Sequence, residues 1–271
     1  MSTNIFNPIV TALFRKPERG GTMERPNGRS LSFVAGLGID GDRNQHPLSP
    51  RQVLVTRLED LDRFGIQCGD LRENVVVTGI LADEFVPGSQ LRLGCDVRLR
   101  LTFLCEPCKR ISHLGVPLHD FIGQRGILAT VVSGGSVREG DGVVADRDAF
   151  LPLPDFPYQR FVRLLGLIPR GRVISYREAT IGTGVAESYM RAIPGYIRKA
   201  NPMLPLHRIV DTDGNLIPYV AGQAEKLEAE GIYVEKLPDL FSESGMNGYD
   251  LPSSKVSLER YLWKAEGVHL L

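Results

Sequence analysis

Hydrophobic positions in the first half of the chain recur in short runs rich in β-branched residues. Turn-forming residues bound these runs, and Gly-Asp pairs stand at 41–42, 69–70 and 140–141. We expect strands over 52–56, 74–77, 97–104 and 127–132, and one helix over 57–64. This succession of short strands and turns predicts a mostly β domain built as a barrel or a bent sheet.

The hydrophobic spacing changes after residues 150–157, which read FLPLPDFP. Three prolines so close together disfavour helix and central strand, so this stretch is predicted to be a linker. Beyond it, helical spacing predicts helices over 158–167, 176–181, 185–199 and 223–230. The second and third flank a Gly-Thr-Gly turn, as in a helix-turn-helix.

The end of the chain is less regular. Residues 206–210 and 215–219 flank Asp-Thr-Asp-Gly, which predicts a tight hairpin. Residues 236–254 are rich in turn formers and are expected to be loop, and 256–265 is expected to be a closing helix. We therefore divide the chain into an N-terminal domain (1–149), the linker (150–157), an α-rich domain (158–235) and a tail (236–271).

Length and composition agree with a folded protein of two domains. The chain has 271 residues, of which 42% are hydrophobic and 24% charged. No secretory signal or membrane-spanning run is evident, so no membrane partner is expected. Four cysteines are too few for a disulfide scaffold of this size. A reducing cytoplasm is the expected compartment.

The zero net charge hides a strongly uneven distribution. Residues 155–210 contain nine basic and three acidic side chains, a net charge of +6, whereas residues 211–271 contain five basic and eleven acidic ones, a net charge of −6. The basic segment suits a phosphate-binding face. The alternative is a solvated helical surface balanced by an acidic tail, and the helix-turn-helix pattern favours DNA.

Three motifs in the basic half carry a family resemblance. They read IPRGRVISY at 168–176, PLHRIV at 205–210 and EAEG at 228–231. In order and spacing they resemble the DNA-binding domain of the alkylguanine-DNA alkyltransferases, over about 157–234. That family has a cysteine where this chain has Leu206, and leucine cannot accept an alkyl group. The segment therefore resembles the alkyltransferase-like proteins, which bind modified bases without repairing them.

The resemblance implies a winged-helix-type domain that extrudes a base from DNA. Tyr176 matches the tyrosine that rotates the 3′ phosphate, and Arg191 matches the arginine that fills the vacated stack. It further implies that Arg172, Arg198 and Arg208 contact DNA. The same resemblance implies a lesion pocket formed by Leu206, His207 and Glu230. Without the motifs, Tyr176 would be a packing residue at a helix start and Arg191 a surface charge. Pro194 departs from the family, because an interior proline costs a helix about 3 kcal/mol unless the helix kinks or starts there.

A second set of motifs spans the first half. In order they read GIDGDR (38–43), QVLV (52–55), GDLRENVVVTG (69–79), LRLG (91–94), EPCKRI (106–111), GQRG (123–126) and GD (140–141). Together they resemble the MOSC domain, named for the C-terminal domain of molybdenum cofactor sulfurase, over about 8–146. The resemblance implies a β-barrel-like core.

The functional cysteine of that family matches Cys108, as a molybdenum ligand or a persulfide carrier. Either role needs a thiolate. The resemblance implies proton transfer by His46, and contacts to a molybdenum cofactor (molybdopterin) by Gly41, Arg43, Arg72, Asn74, Lys109 and Arg125. Alternatively, Asp42 and Asp141 are turn residues, and 73–74 anchors a loop.

Cys105 and Cys108 form a Cys-x-x-Cys pair. Zinc is poorly supported because a structural site needs four ligands, and the strand-helix setting of a redox pair is missing. Cys105 is either a resolving thiol or a packing residue. Cys68 and Cys95 lie beside glycines and are interpreted as structural.

Together the resemblances imply a molybdenum-dependent oxidoreductase, without pyridoxal phosphate, that reduces N-hydroxylated or otherwise modified bases in DNA. It would need an external electron donor. Two alternatives are a persulfide sulfur carrier and a non-enzymatic lesion sensor that recruits a repair protein.

Overall fold

The protein is described by a computed structural model, which covers residues 7–18, 20–236 and 254–265. These residues form two compact units, and the chain passes from the first to the second between Asp155 and Phe156. Within the described ranges, no helix is long and apolar enough to cross a membrane.

The N-terminal unit is mostly β, as the sequence pattern predicts. Its elements are β1 (Ile9–Leu13), β2 (Ser30–Val34), β3 (Gly38–Ile39), β4 (Val53–Arg57), α1 (Leu58–Phe64), β5 (Val75–Thr78), β6 (Gln90–Leu93), β7 (Val97–Leu104), β8 (Ile127–Ser133), β9 (Gly135–Arg138) and β10 (Val143–Asp146). Short 3₁₀ helices cover Asn27–Arg29, Lys109–Leu114 and Leu118–Phe121. The predicted strands correspond to β4, β5, β7 and β8, and the predicted helix to α1.

Seven of these strands form one sheet in the order β1-β5-β4-β8-β7-β6-β10, and β3-β2-β9 form a smaller one. The large sheet nearly closes, because Val10 N donates to Asp141 O (2.9 Å) and Val143 N donates to Pro8 O (2.8 Å). These bonds link β1, at one edge, to the residues that lead into β10 at the other. The apolar side chains of the strands fill the interior.

The proline-rich stretch 150–157 is attached to this unit over its first half. Phe150 N donates to Gly88 O (2.9 Å), and Arg100 Nη2 donates to Leu151 O (2.6 Å). Leu153 is buried in a small apolar cluster with Leu54, Phe103, Cys105 and Leu128. The unit boundary therefore falls near the end of the predicted linker.

The C-terminal unit is rich in helix. Its elements are α2 (Pro157–Leu167), β11 (Ile174–Ser175), α3 (Tyr176–Thr183), α4 (Ile193–Lys199), β12 (Ile209–Val210), α5 (Gln223–Glu228), β13 (Val234–Lys236), β14 (Ser254–Val256) and α6 (Leu258–Tyr261), with 3₁₀ helices at Glu187–Ala192 and Leu206–Arg208. Strands β11 and β12 pair in parallel, and β13 and β14 pair antiparallel.

The helix-turn-helix is present, but its second helix differs from the expected 185–199. That segment is split into a 3₁₀ turn and α4, which starts at Ile193 and places Pro194 in its first turn. A first-turn amide has no partner within a helix, so proline is tolerated there. The first helix, α3, starts with a capping box formed by Ser175 and Glu178.

The expected hairpin across 206–219 is wrong. The turn itself forms, with Gly214 at φ +89°, where an added Cβ would lie 2.3 Å from Val256 O. However, β12 pairs with β11, and Asn215 bridges to Lys255 instead. The expected closing helix 256–265 is only the short α6, preceded by β14. Most of the expected tail loop, 237–253, lies outside the described residues.

Candidate functional site

Cys108 lies between β7 and a 3₁₀ helix, and its side chain is half-buried. Arg125, which precedes β8, is only 5% exposed and donates from Nη1 to Cys108 Sγ (3.3 Å) and to Glu106 O (2.5 Å). Its Nη2 donates to Leu71 O (3.4 Å). Its Nε–H is buried without a hydrogen-bond partner. The thiol is therefore held beside a buried guanidinium that retains an unused donor.

Lys16, which follows β1, lies in the same region and is 4% exposed. Burial, together with the positive charges of Arg72, Arg110 and Arg43, lowers the pKa of Lys16 to about 8. Asp42 opposes this only weakly. Its carboxylate already accepts hydrogen bonds from the backbone amides of residues 16 and 44 and from the Asn74 side chain.

Arg72 is also held within this set of positive charges. Its backbone has φ +64°, a left-handed conformation that is uncommon for residues other than glycine, and its Nη2 donates to Gly21 O (2.6 Å). Burial and the charges of Arg110 and Arg125 lower the pKa of Arg72. We call Lys16, Arg43, Arg72, Arg110 and Arg125 the cation cluster. Such a concentration of positive charge suits an anionic ligand.

Asn74 and Gly41, two other predicted contacts, support the loops around the cluster. Asn74 is buried, accepts from Leu54 N (3.0 Å) and donates to Phe14 O (3.2 Å) and Asp42 Oδ2 (3.0 Å). Gly41 has φ +69°, and an added Cβ would lie 3.0 Å from Arg15 Nη1. The amide of Asn74 is thus engaged within the protein, and glycine at 41 leaves room for an arginine.

His46 and Lys109 complete the predicted N-terminal set. The Nδ1 of His46 accepts from Leu48 N (3.2 Å), so the neutral ring carries its proton on Nε2. Lys109 is exposed at the start of the 3₁₀ helix that follows Cys108. Asp141, for which the alternative was a turn residue, accepts from Arg138 N (2.8 Å) within its turn.

The other cysteines have different surroundings. Burial raises the pKa of Cys105, which packs in the apolar cluster that contains Leu153. Burial and the charge of Glu73 raise the pKa of Cys68, and Cys95 is exposed. All four are free thiols.

In the C-terminal unit, Glu230 is the centre of a polar network. His207 Nε2 donates to Oε1 (2.9 Å), Gly171 N donates to Oε2 (3.1 Å), and Arg208 reaches both oxygens. Burial would raise the pKa of Glu230, but the hydrogen bonds from Arg208, His207 and Gly171 outweigh it and lower the pKa to about 2. Leu206 begins the adjoining 3₁₀ helix and is half-buried.

Tyr176, the first residue of α3, contacts a second tyrosine. Its hydroxyl lies 3.3 Å from the hydroxyl of Tyr219, and the guanidinium of Arg198 lies 4.1 Å from the centre of the Tyr219 ring. Burial and the hydrogen bond with Tyr219 raise the pKa of Tyr176. Sequence reasoning missed Tyr219, although a Pro-Tyr pair shortly after the turn was a possible signal.

The other arginines predicted to contact DNA differ in how exposed their guanidinium groups are. Arg191 is exposed on the 3₁₀ helix that precedes α4. Arg172 is exposed and donates from Nη1 to Arg260 O (3.1 Å). Arg208 is directed inward, because its Nη1 also donates to Ile168 O (2.6 Å). The structure therefore gives Arg208 internal partners for both ends of its guanidinium.

Comparisons with known families match both units. Residues 51–144 match the MOSC domain, and residues 157–232 match the family described as 6-O-methylguanine DNA methyltransferase, DNA binding domain. The chain carries both domains. No protein in the comparison with curated proteins matches significantly.

Solved structures with weaker similarity were also found. The YUAD protein from Bacillus subtilis is 19% identical over 52% of this chain and 96% of its own (TM-score 0.45). YiiM from Geobacillus stearothermophilus is 13% identical over 82% and 98% (TM-score 0.40). Atl1 of S. pombe, in complex with damaged DNA containing O6-carboxymethylguanine, is 24% identical over 41% and 97% (TM-score 0.33).

The matched ranges include some of the candidate residues and leave others out. The MOSC match contains Cys108, Arg72 and Arg125, but it starts after Lys16 and Arg43. Sequence reasoning missed Lys16, whose only signal was an Arg-Lys pair directly after the first hydrophobic run. The DNA-binding match ends before β13, so the strand pair β13–β14 and α6 extend the unit beyond the matched domain.

Proposed function

We propose that the protein is a molybdenum-cofactor-dependent reductase of N-hydroxylated or related modified bases, and that its C-terminal domain presents the base from DNA. The observation that carries this proposal is that the Cys108 thiol lies beside Arg125, a member of the cation cluster. A soft sulfur ligand and concentrated positive charge are what a metal bound to an anionic organic group requires.

The residues present fit such a cofactor. Arg125 has a buried N–H without a partner, and Arg15, next to Gly41, has another. Lys16 is buried among arginines at a cost that a bound anion would offset. We assign Cys108 as the metal ligand, and Arg43, Arg72, Arg110 and Lys16 as the groups that hold the anionic part. Asn74 holds the loop that contains Asp42, and the exposed Lys109 adds positive charge beside Cys108.

When bound, the cofactor would supply two-electron redox chemistry. In the proposed reaction the N–O bond of the hydroxylamino group breaks, the oxygen leaves as water, and the nitrogen becomes an amine. This consumes two protons and two electrons, the latter from an external donor protein. His46 is our candidate for transferring protons, because its neutral ring carries a proton on Nε2.

The DNA-binding domain would provide position rather than covalent chemistry. Leu206 excludes alkyl transfer, and Glu230 is already held by Arg208 and His207. Tyr176 and Arg191 are the proposed base-extruding pair, and Arg172 and Arg198 add phosphate contacts. Binding of the DNA by the same chain would raise the effective concentration of the modified base.

The test uses full-length protein produced in a host that makes the cofactor. We expect stoichiometric molybdenum and pterin, and reduction of N-hydroxycytosine in an oligonucleotide when a chemical electron donor is present. Cys108→Ala abolishes both metal and turnover, whereas Cys95→Ala, at an exposed cysteine, retains them.

Other outcomes distinguish the alternatives. Protein that lacks molybdenum and turns nothing over contradicts the proposal. A sulfur atom added to Cys108, detected by mass spectrometry, identifies a sulfur carrier. A biological phenotype that survives Cys108→Ala but not Tyr176→Ala or Arg191→Ala identifies a lesion sensor that recruits a repair partner.

A further inference from the structure

The side chain of Lys16 is buried, and its backbone is held on both sides. Its amide donates to Asp42 Oδ2 (2.8 Å), and its carbonyl oxygen accepts from Arg43 N (2.8 Å). The whole residue is 4% exposed. A lysine normally keeps its charged end in water. Burial of this amine at a fixed place is therefore a feature to explain.

Three arginines from separate segments act on the Lys16 amine. Arg43 follows β3, Arg72 precedes β5, and Arg110 lies in the 3₁₀ helix that follows β7. Asp42 opposes them, but its carboxylate already accepts hydrogen bonds from amide donors. A further positive charge at the end of Lys16 would be repelled by the arginines, whereas a negative charge there would be stabilised.

The same surroundings make the amine of Lys16 nucleophilic. Burial and the charges of the three arginines lower its pKa to about 8. At pH 8 about half of these amines are therefore neutral, against fewer than about one in a hundred for an ordinary lysine. A neutral amine has a free lone pair and attacks electron-poor carbon.

The charge of the product decides which electrophile the site favours. An aldehyde would give an imine, which is reactive when protonated, and the arginines disfavour that cation. Carbon dioxide gives a carbamate, a carboxylate on nitrogen, which guanidinium groups bind through charge-assisted hydrogen bonds. Carbon dioxide is also small and uncharged, so it enters a buried place without the desolvation cost of an ion.

We propose that Lys16 binds carbon dioxide covalently, and that the guanidinium groups of Arg43, Arg72 and Arg110 hold the resulting carbamate. The nitrogen lone pair attacks the carbon of carbon dioxide, one C–O π bond becomes a lone pair on oxygen, and the nitrogen releases its proton to solvent. No oxidant, metal or cofactor takes part. The cation cluster then consists of four guanidinium groups and one carboxylate.

Carbamate formation would weaken the binding of any other anion to the cation cluster. It removes the positive charge of Lys16 and places a carboxylate against the neighbouring guanidinium groups. The inference goes beyond the proposed function, because it rests on the cation cluster alone and needs no molybdenum. Carbon dioxide would act as a competitor of cofactor loading.

The test uses full-length protein from a host that does not make the cofactor, equilibrated at pH 8 with ¹³C-labelled bicarbonate. Carbon NMR separates a carbamate from bicarbonate and dissolved carbon dioxide. We expect a carbamate signal in the wild type that Lys16→Arg, which keeps the charge but not the nucleophile, lacks. Lys109→Arg, at an exposed lysine, retains it. Any carbamate on the N-terminal amine is common to all three proteins and cancels.

The modified residue is located by trapping. Alkylation with triethyloxonium converts the labile carbamate into a stable ethyl ester, and peptide mass spectrometry is expected to find it on Lys16. Arg72→Gln should lower the occupancy about three- to tenfold, because it removes one of the charges that keep the amine neutral and hold the carbamate. Arg98→Gln, a matched change at an exposed arginine of β7, should leave the occupancy unchanged.

Competition is measured with phenyl phosphate, with and without bicarbonate at constant ionic strength and pH 8. Bicarbonate should weaken phenyl phosphate binding to the wild type more than to Lys16→Arg. An equal effect on both proteins means that bicarbonate acts as an adventitious ion only, and overturns the inferred competition.

The inference as a whole is overturned if the wild type shows no carbamate beyond that of Lys16→Arg, or if the trapped ester is found only on other amines. Failure of the protein to load molybdenum contradicts the proposed function instead. The carbamate measurement does not depend on it, since the protein used contains no cofactor.

Discussion

Arg208 and Glu230 form a bidentate ion pair, in which Arg208 Nε donates to Glu230 Oε2 at 3.0 Å and Arg208 Nη2 donates to Glu230 Oε1 at 2.6 Å. Both side chains are largely buried, and Arg208 also donates to Ile168 O. This geometry assigns an internal, structural position to an arginine that a sequence motif places in a DNA-binding segment.

Glu230→Gln is expected to destabilise the C-terminal unit by about 2–4 kcal/mol at pH 7, because it leaves Arg208 buried without its charge partner. The folded pKa of about 2 lies below the ordinary value of 4.5. The stabilisation is therefore complete above about pH 4.5 and is lost as the pH falls from there towards 2. Fluorescence of Trp263, the single tryptophan of the chain and a buried residue of this unit, reports unfolding by urea.

The wild type should lose stability between pH 4.5 and 2 more steeply than Glu230→Gln does. Glu228→Gln, at an exposed position in the last turn of α5, provides the matched control and should behave like the wild type. Equal stability of the Glu230→Gln and Glu228→Gln proteins at pH 7 would show that the ion pair contributes nothing.

DNA binding should distinguish Arg191 from Arg208. Arg191→Gln removes an exposed charge, so the slope of log affinity against log salt is expected to fall in magnitude by about 0.9. Arg208→Gln is expected to leave the slope of the folded protein unchanged while lowering its stability. Fluorescence anisotropy with a labelled duplex across a potassium chloride series measures both. A lower slope for Arg208→Gln would mean that Arg208 contacts phosphate after all.

The Cys108 thiol should react with iodoacetamide faster than Cys105, because Cys105 is buried and its pKa is raised by burial. Arg125→Gln is expected to slow modification of Cys108 about three- to tenfold, since it removes the buried guanidinium that donates a hydrogen bond to the sulfur. Peptide mass spectrometry over a time course gives the rate at each cysteine. The exposed Cys95 serves as the internal control, and an unchanged Cys108 rate in Arg125→Gln would refute the assigned role.

Lys16 should make anion binding depend on pH. Its pKa of about 8 means that the amine is protonated at pH 7.5 and mostly neutral at pH 9 in the free protein. Affinity for a phosphate monoester such as phenyl phosphate is expected to fall about five- to tenfold over this interval. Calorimetric titration at the two pH values measures it.

The control for this prediction is Lys16→Arg, which keeps its charge at both pH values and should bind with nearly constant affinity. Lys16→Met should bind weakly at both. A wild type whose affinity does not change between pH 7.5 and 9 would show that Lys16 takes no part in holding the anion.

Much of this protein follows from local sequence. The β-branched runs and the change to helical spacing after the prolines depend on residues close together in the chain, and the strands predicted over 52–56, 74–77, 97–104 and 127–132 formed close to where they were expected. The Ser175–Glu178 capping box that starts α3 is equally local. The order of the motifs also indicated both domains, because each motif is a short stretch whose turn and strand residues are recognisable without knowledge of the rest of the chain. Leucine at position 206 cannot accept an alkyl group whatever its surroundings, because its side chain has no lone pair.

Contacts between distant residues were decided only by the tertiary structure. Sequence shows the sign of a charge but not the atom it faces, so the motif predicts a DNA contact for Arg208 and does not reveal its contact with Glu230, 22 residues away. Strand pairing likewise moved β12 from an expected hairpin to β11. Burial of Lys16 among Arg43, Arg72 and Arg110, and the cover of Tyr219 by Arg198, arise because packing brings separate elements together, and no local pattern encodes that proximity.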